Sequence, residues 1–376
     1  MKVVEPVSAS SLGFFALRAL ASHVWHTKSR LALRLSAKQL TFASARTPRV
    51  NYGHLAPATG ARPIGGEIKL IALRKQFPEA FTSANCFYLV SSALPDRVEE
   101  ILRRGKRLGL KLVWNQNGVA YPGCYGNFYP WFNARMARLY RAADYVFYQS
   151  AFSRASALRY LGETKAPGEI LLNPVNLEAF SPAPPPSFDT IQILAAGTSH
   201  ALYRTQSALD TLRTLLARGR RAHLTIAGEF RWPSAVADVA KAMHGLAEHV
   251  TLLAPFEQSE APALYRRAHL LLHTKFNDPC PTVPIEAMAC GLPVVGTASG
   301  GMPELVPPTA GVLVPIENSW TRDIAGDPAL LADAVEHTAA NHAAMSAAAR
   351  AHAERSFDEQ AWLDRHSTVM NKLCGS

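Results

Sequence analysis

Cysteine is sparse and scattered in this chain. There are five, Cys86, Cys124, Cys280, Cys290 and Cys374, among 376 residues, with no C-x-x-C pair and no metal-ligand spacing. An odd, dispersed set of thiols argues against a disulfide framework and suits a reducing compartment, so the cytosol is the expected location. No stretch of about 18 uninterrupted apolar residues occurs, which leaves no candidate membrane span. There is no Asp-x-Asp pair and no cluster of histidines, so a diphosphate held by a divalent metal lacks its usual ligands, and no metal or cofactor is expected. Repeats and low-complexity tracts are missing as well. Basic charge is unevenly spread: residues 1–50 hold eight Lys and Arg against the single acid Glu5, which is +7 of the net +10. A nucleic-acid face would show as a basic stripe with a recognition motif, and neither is present.

What is there is an ordinary globular composition, 48% hydrophobic and 18% charged, in a chain long enough for two domains. The most informative stretch is LLLHTKFNDPCPTVPIEAMACGLPVVGTASGGMPELV, residues 270–306. Leu270-Leu271-Leu272 reads as a short buried strand. A polar, Pro-rich turn through Asp278 and Pro281 follows. Ile285, Met288, Ala289 and Leu292 then recur at helical spacing on one face, with Pro281 expected as the first helical residue. Gly291 and Pro293 stop that helix. Pro293–Gly296 reads as the next strand and Ser299-Gly300-Gly301 as the loop after it, completing a βαβ unit.

The start of this helix leaves the N–H groups of Thr282 and Val283 without intrahelical partners and carries partial positive charge, which suits a phosphate. Asp278 lies just before it and Glu286 one turn after Thr282, away from the apolar stripe. A carboxylate repels phosphate but accepts hydrogen bonds from sugar hydroxyls. Amides for phosphate beside acids for hydroxyls fit a sugar nucleotide.

The segment resembles the signature of the retaining GT-B glycosyltransferases of glycosyltransferase family 4, or group 1. That pattern is an acid, seven residues, Glu, then Ala-Met-Ala-x-Gly-x-Pro-Val-Val and a Gly-Gly-x-x-Glu turn. Here it reads Asp278, seven residues, Glu286, Ala287–Val295 and Gly300-Gly301-Met302-Pro303-Glu304. The family's first acid is usually Glu, and Gly often stands where this chain has Pro281. The resemblance implies that Glu286 grips the ribose and Asp278 the donor sugar. It also implies an α/β GT-B fold, two Rossmann-like doubly wound parallel-sheet domains facing a cleft.

The same resemblance assigns other positions. Strand 49–53, the Gly/Pro-rich loop 57–66 and the helix after it match the place where a Gly-Gly pair, here Gly65 and Gly66, faces the donor phosphates and the acceptor; read without the family, this is equally a simple turn. The strand Leu110–Trp114 runs into Asn115-Gln116-Asn117-Gly118. Family members often carry His-Gly there, so Asn117 stands where a His lies near the reacting sugar; it hydrogen-bonds but is no base near neutral pH. After the strand Ile191–Ala196, Gly197 fits the family's glycine, Thr198 occupies its usual Arg position, and Arg204, at the entrance of a helix from Thr205 to Ala217, stands near its Lys position. Arg204 would neutralise charge on the leaving diphosphate. Gly228, after the strand 224–227, marks where the base is often seated. The aromatic stretch 121–132 reads as a loop, either an acceptor surface or core.

The expected organisation is a basic extension 1–48, an acceptor-side domain 49–185 ending in the stiff Ala183-Pro184-Pro185-Pro186 linker, a donor domain 186–356, and a closing helix 357–376 that crosses back to the first domain. The extension mixes Leu12, Phe14, Phe15 and Trp25 with Arg and Lys. It reads as a helix packed on the domain, as an irregular extension, or as an amphipathic contact with the inner face of the cell membrane. Arg18 interrupts its apolar run and no A-x-A-like site follows, so a cleaved signal peptide is not expected.

The leading functional reading is a metal-independent, retaining transfer of a sugar from a nucleoside diphosphate sugar to a hydroxyl of a glycan or lipid-linked acceptor. The alternative is a non-catalytic GT-B module that binds a sugar nucleotide or a partner, since Asp278, Pro281, Thr198 and Asn117 all depart from the pattern. An epimerase acting on sugar nucleotides ranks third.

Overall fold

A computed structural model describes residues 47–53, 65–80, 83–95 and 98–375, with the side chains of 65–67 and 101 left aside. The amphipathic reading of the extension, up to residue 46, and the loop 57–64 lie outside the described residues.

Strands of continuous apolar residues build two parallel sheets. In the first, β1 (Val50–Asn51), β2 (Cys86–Val90), β3 (Lys111–Gln116), β4 (Tyr145–Tyr148) and β5 (Gly168–Ile170) lie in sequence order. The second has β6 (Ile191–Ala196), β7 (Ala222–Ala227), β8 (Val250–Leu253), β9 (Leu270–His273), β10 (Val294–Thr297) and β11 (Gly311–Val314), in the order β11-β10-β9-β6-β7-β8. That second order is doubly wound. It reverses between β6 and β9, and ligands of such sheets gather in the crevice at the carboxyl ends of the strands flanking the reversal. The four strands of this lobe read from the sequence, at 191–196, 224–227, 270–272 and 293–296, are all present.

Both faces of each sheet are covered, which is why the strands run apolar without alternation. Leu271 and Val294 face the helix Thr282–Ala289, whose Ile285 and Met288 are fully buried. Leu270, Leu272 and Val295 face the opposite way, toward the helices Leu202–Ala217 and Pro328–Ala340. In the first lobe Phe87, Leu89 and Trp114 pack with Leu102, Leu139 and Leu161 on one side. On the other side Tyr88, Val113 and Phe147 pack with Leu73 and with Trp362, Leu363, Val369 and Met370 of the closing helix. That helix, Glu359–Cys374, is therefore part of the first lobe's core, as the sequence suggests.

Several expectations change in detail. The stretch 121–132 is largely helical: Pro122–Tyr125 forms one turn and Tyr129–Arg141 a full helix, each with Pro in its first turn, where the missing N–H costs no bond. Gly65 and Gly66 open the helix Gly65–Gln76 instead of closing the loop before it. Pro281 is the N-cap of the helix beginning at Thr282, one position earlier than expected. Arg204 is the third residue of its helix, not a residue at its entrance.

Candidate donor site between the lobes

The carboxyl ends of β6 and β7 meet the helix mouth through glycine. A side chain on Gly197 would lie 3.4 Å from Val283 Cγ2 and 3.6 Å from Arg204 Nη2, and one on Gly228 would collide with Gly197 O at 2.5 Å. Gly197, Arg204, Gly228 and Val283 are thus brought into one cluster. Pro281 gives no side-chain cap, and neither the Thr282 nor the Val283 N–H has a partner among the described residues. Pro284, third in the helix, has no N–H to offer. The mouth accordingly presents two open amides with the positive end of the helix behind them.

The loop before this mouth is held in place from both sides. Gly300 has φ +60°, and a Cβ there would meet Asp278 O at 2.4 Å; one on Gly301 would meet Pro279 O at 2.0 Å. The Gly301 N–H donates to Asp278 O at 2.8 Å. Two glycines are needed so that the turn after β10 can lie flat on the Asp278–Pro279 backbone. From the first lobe, Ser150 Oγ donates to Pro279 O at 2.6 Å and Asn173 Nδ2 to Cys280 O at 2.7 Å. A Cβ on Gly118 would stand 3.1 Å from Pro279 Cγ. Gly118 therefore lies against the Pro279 loop across the seam, and the loop leading into the mouth is held where the lobes meet.

The charged residues are more committed than the sequence implies. Asp278 is buried, with Lys275 Nζ 3.0 Å and His273 Nε2 3.6 Å from its Oδ2. Burial acts to raise its pKa, but the neighbouring Lys275 ammonium outweighs it and holds the carboxyl well below the usual carboxylate range. Burial also keeps the His273 ring neutral, and neither of its nitrogens reaches a hydrogen-bond partner among the described residues. Arg204 is half-buried, with Nη1 donating to Thr198 O and Nη2 to Ala196 O, both at 2.7 Å. Its guanidinium clips the end of β6, and Thr198 contributes only its carbonyl to that clip.

Glu286 departs furthest from expectation. It is not on an open polar face but buried, and its two oxygens accept from Tyr265 Oη at 2.7 Å and Gln258 Nε2 at 3.2 Å. Burial raises its pKa to about 7 against the opposing pull of those hydrogen bonds. Neither Tyr265 nor Gln258 is marked by any motif. Each oxygen keeps one acceptor position for a ligand hydroxyl.

With this geometry in view, the comparisons with known proteins are consistent. The model of the family described as "Glycosyl transferases group 1" matches residues 191–341. The second lobe is a group 1 glycosyltransferase domain. A D-inositol 3-phosphate glycosyltransferase of Salinispora tropica is 35% identical over 118 residues, 29% of this chain and 24% of the relative. One from Mycolicibacterium vanbaalenii is 31% identical over 150 residues, 37% of this chain and 33% of the relative. The matched stretches thus span a third or less of these relatives. Among solved structures, Anabaena HepE in complex with UDP and glucose covers 86% of this chain and 99% of its own, with TM-score 0.67 and 16% identity. Sucrose-phosphate synthase from Thermosynechococcus elongatus covers 85% and 82%, with TM-score 0.63 and 15% identity. These likenesses establish the GT-B fold for both lobes, while the group 1 sequence match stays within the second.

One polar cluster of the first lobe escaped the sequence reading. Lys69, on the helix that Gly66 opens, is only 2% exposed and donates to Asn115 Oδ1 at 3.0 Å and Asn117 Oδ1 at 3.1 Å. A lysine in a basic helix carries no local sign of burial, so only the packing finds it. Lys69, Asn115, Asn117 and Gln149 thus form one hydrogen-bonded polar cluster in the first lobe.

Proposed function

We propose that the protein is a glycosyltransferase that takes a nucleoside diphosphate sugar and moves the sugar to a hydroxyl acceptor. The observation that carries this reading is the pair of open amides at Thr282 and Val283, set against Gly197 and Gly228 where the lobes meet. A diphosphate resting there is neutralised by the helix end as negative charge grows on it during departure, which is stabilisation aimed at the transition state. No divalent ion is required for that role. Glu286, with one acceptor position open on each oxygen, suits a ribose hydroxyl, and Asp278, kept ionised by Lys275, suits a hydroxyl of the sugar. Retention of configuration accords with an Asn at position 117, because the site then has no side-chain base there and the departing phosphate is left to take the acceptor's proton. The relatives named as inositol phosphate glycosyltransferases and the UDP complexes of HepE favour a UDP-sugar donor and a polyol or glycan acceptor. A lipid-linked acceptor approached at the inner face of the membrane, with the extension 1–48 as contact, belongs to the same proposal.

Thermal shift with UDP, UDP-glucose and GDP-mannose, followed by product analysis with acceptor, tests this. A rise in melting temperature with a nucleotide sugar, lost in Glu286→Ala, is expected. An equal shift in the variant removes Glu286 from the site, and absence of any shift sinks the reading. Donor binding without hydrolysis or transfer would favour a binding module, to which the Lys275–Asp278 pair and the engaged Arg204 also lend themselves.

A further inference from the structure

We propose that Lys69 is a positioning residue for sugar transfer, fixing the Asn117 amide with its carbonyl inward and its NH2 edge toward the substrates. This rests on the glycosyltransferase reading above. Lys69 Nζ donates to two neutral amide oxygens, Asn115 Oδ1 and Asn117 Oδ1, and has no carboxylate among its described partners. Gln149 Nε2 donates to the same two oxygens, at 3.2 Å to Asn115. Asn117 Oδ1 thus has both acceptor positions filled. Its Nδ2 donates outward to the Oγ of Ser92, an exposed residue, at 2.6 Å. The other N–H of that amide has no partner among the described residues, and the next residue, Gly118, lies against the loop at Pro279.

The orientation is fixed further by the neighbours. Asn115 Nδ2 donates to Tyr88 Oη at 3.0 Å, and Tyr88 is 2.9 Å from His366 Nε2. His366 Nδ1 is 2.9 Å from Trp362 O, which can only accept, so Nδ1 carries the proton and Nε2 accepts from Tyr88. Every member of the chain from the closing helix to Lys69 therefore has one consistent direction. On the other side Gln149 Oε1 accepts from Asn173 Nδ2, which also holds Cys280 O, two residues before Thr282. Burial lowers the pKa of Lys69 to about 7, but charged or neutral its Nζ has N–H groups for both oxygens, so a flipped Asn117 amide would set its NH2 group against two donors, Lys69 Nζ and Gln149 Nε2. Asn117 is left as a donor that meets a substrate oxygen and cannot withdraw its proton.

The test is a double-mutant cycle in the full chain, using hydrolysis and acceptor transfer with UDP-glucose and GDP-mannose. Lys69→Met is expected to lower kcat roughly 100-fold, the cost of a misplaced group near the reacting atoms, with donor KM within about twofold. In the Asn117→Ala background the same change should cost no more than about twofold, because the amide it orients is gone. Additive losses, an unchanged kcat, or a KM that rises in step with the loss would overturn the proposal. If Lys69→Met does not fold, Lys69→Gln takes its place in the same cycle. Wild-type protein silent with every donor would sink the parent reading, whereas an active wild type with an additive cycle sinks this inference alone.

Discussion

Glu304 of the second lobe accepts the backbone N–H of Phe152 in the first, at 2.9 Å, and its other oxygen takes the N–H of Ala151 at 2.5 Å. The acid that ends the Gly-Gly-x-x-Glu turn thus caps the helix Ala151–Leu161 of the opposite lobe, alongside Ser150, whose Oγ accepts from Ser153 N. A carboxylate on a helix N-terminus is favoured by both hydrogen bonding and the helix dipole. Glu304→Ala should cost about 1 kcal/mol of stability, as loss of a cap does. It should also widen the separation of the lobes seen by small-angle scattering. An unchanged radius of gyration would show that the cap does not hold the lobes together.

Glu286 gives a pH prediction. Its pKa is raised from 4.5 to about 7 by burial. A group that holds its proton more tightly when folded adds stability below its unfolded pKa and loses it as pH rises through the folded value. Wild-type protein should therefore lose stability between pH 4.5 and about 7 relative to Glu286→Gln, by roughly 3 kcal/mol at full ionisation. Urea midpoints at pH 5 and pH 8 read this directly. A difference that does not change with pH would mean that Glu286 is ionised across the whole range.

Gly301→Ala probes the donor loop. The new methyl would lie 2.0 Å from Pro279 O, so the Asp278–Pro279 backbone must move. We expect loss of stability of about 2 kcal/mol or more and loss of the nucleotide-induced thermal shift. Full binding in a folded variant would detach the loop from the ligand.

Arg204 separates a clip from a ligand. Its two bonds to Ala196 O and Thr198 O exist without any nucleotide. Arg204→Met leaves both carbonyls without these donors and should cost about 2–4 kcal/mol in the free protein. If stability is unchanged while nucleotide affinity falls, the guanidinium serves the ligand instead of β6.

Much of the second lobe is legible in the sequence because its strands are short apolar runs closed by Gly or Pro, and buried parallel strands leave that trace. Gly197, Gly228, Thr282 and Val283 converge because the doubly wound order brings the loops they occupy to one crevice. What the sequence does not give is tertiary. Whether Glu286 meets solvent depends on Tyr265 and Gln258, which come from another turn of the chain. Lys69 is buried by strands that follow it by more than forty residues. The stretch 121–132 misleads because Pro and Gly signal turns in general, whereas Pro122 and Pro130 here fall in first helical turns.

The closing helix has a consequence for how the molecule is made and how it bends. Trp362, Leu363, Val369 and Met370 complete the interior of the lobe that begins at residue 50, so that interior stays unfinished until synthesis reaches residues 359–374, by which time the second lobe has all its strands. The backbone also passes between lobes twice, and the two passages lie side by side, with the Val175 N–H donating to Phe357 O at 2.7 Å. Because the two passages are bonded to each other, neither can turn without carrying the other, and the joint is stiffer against twisting than a single strand of chain.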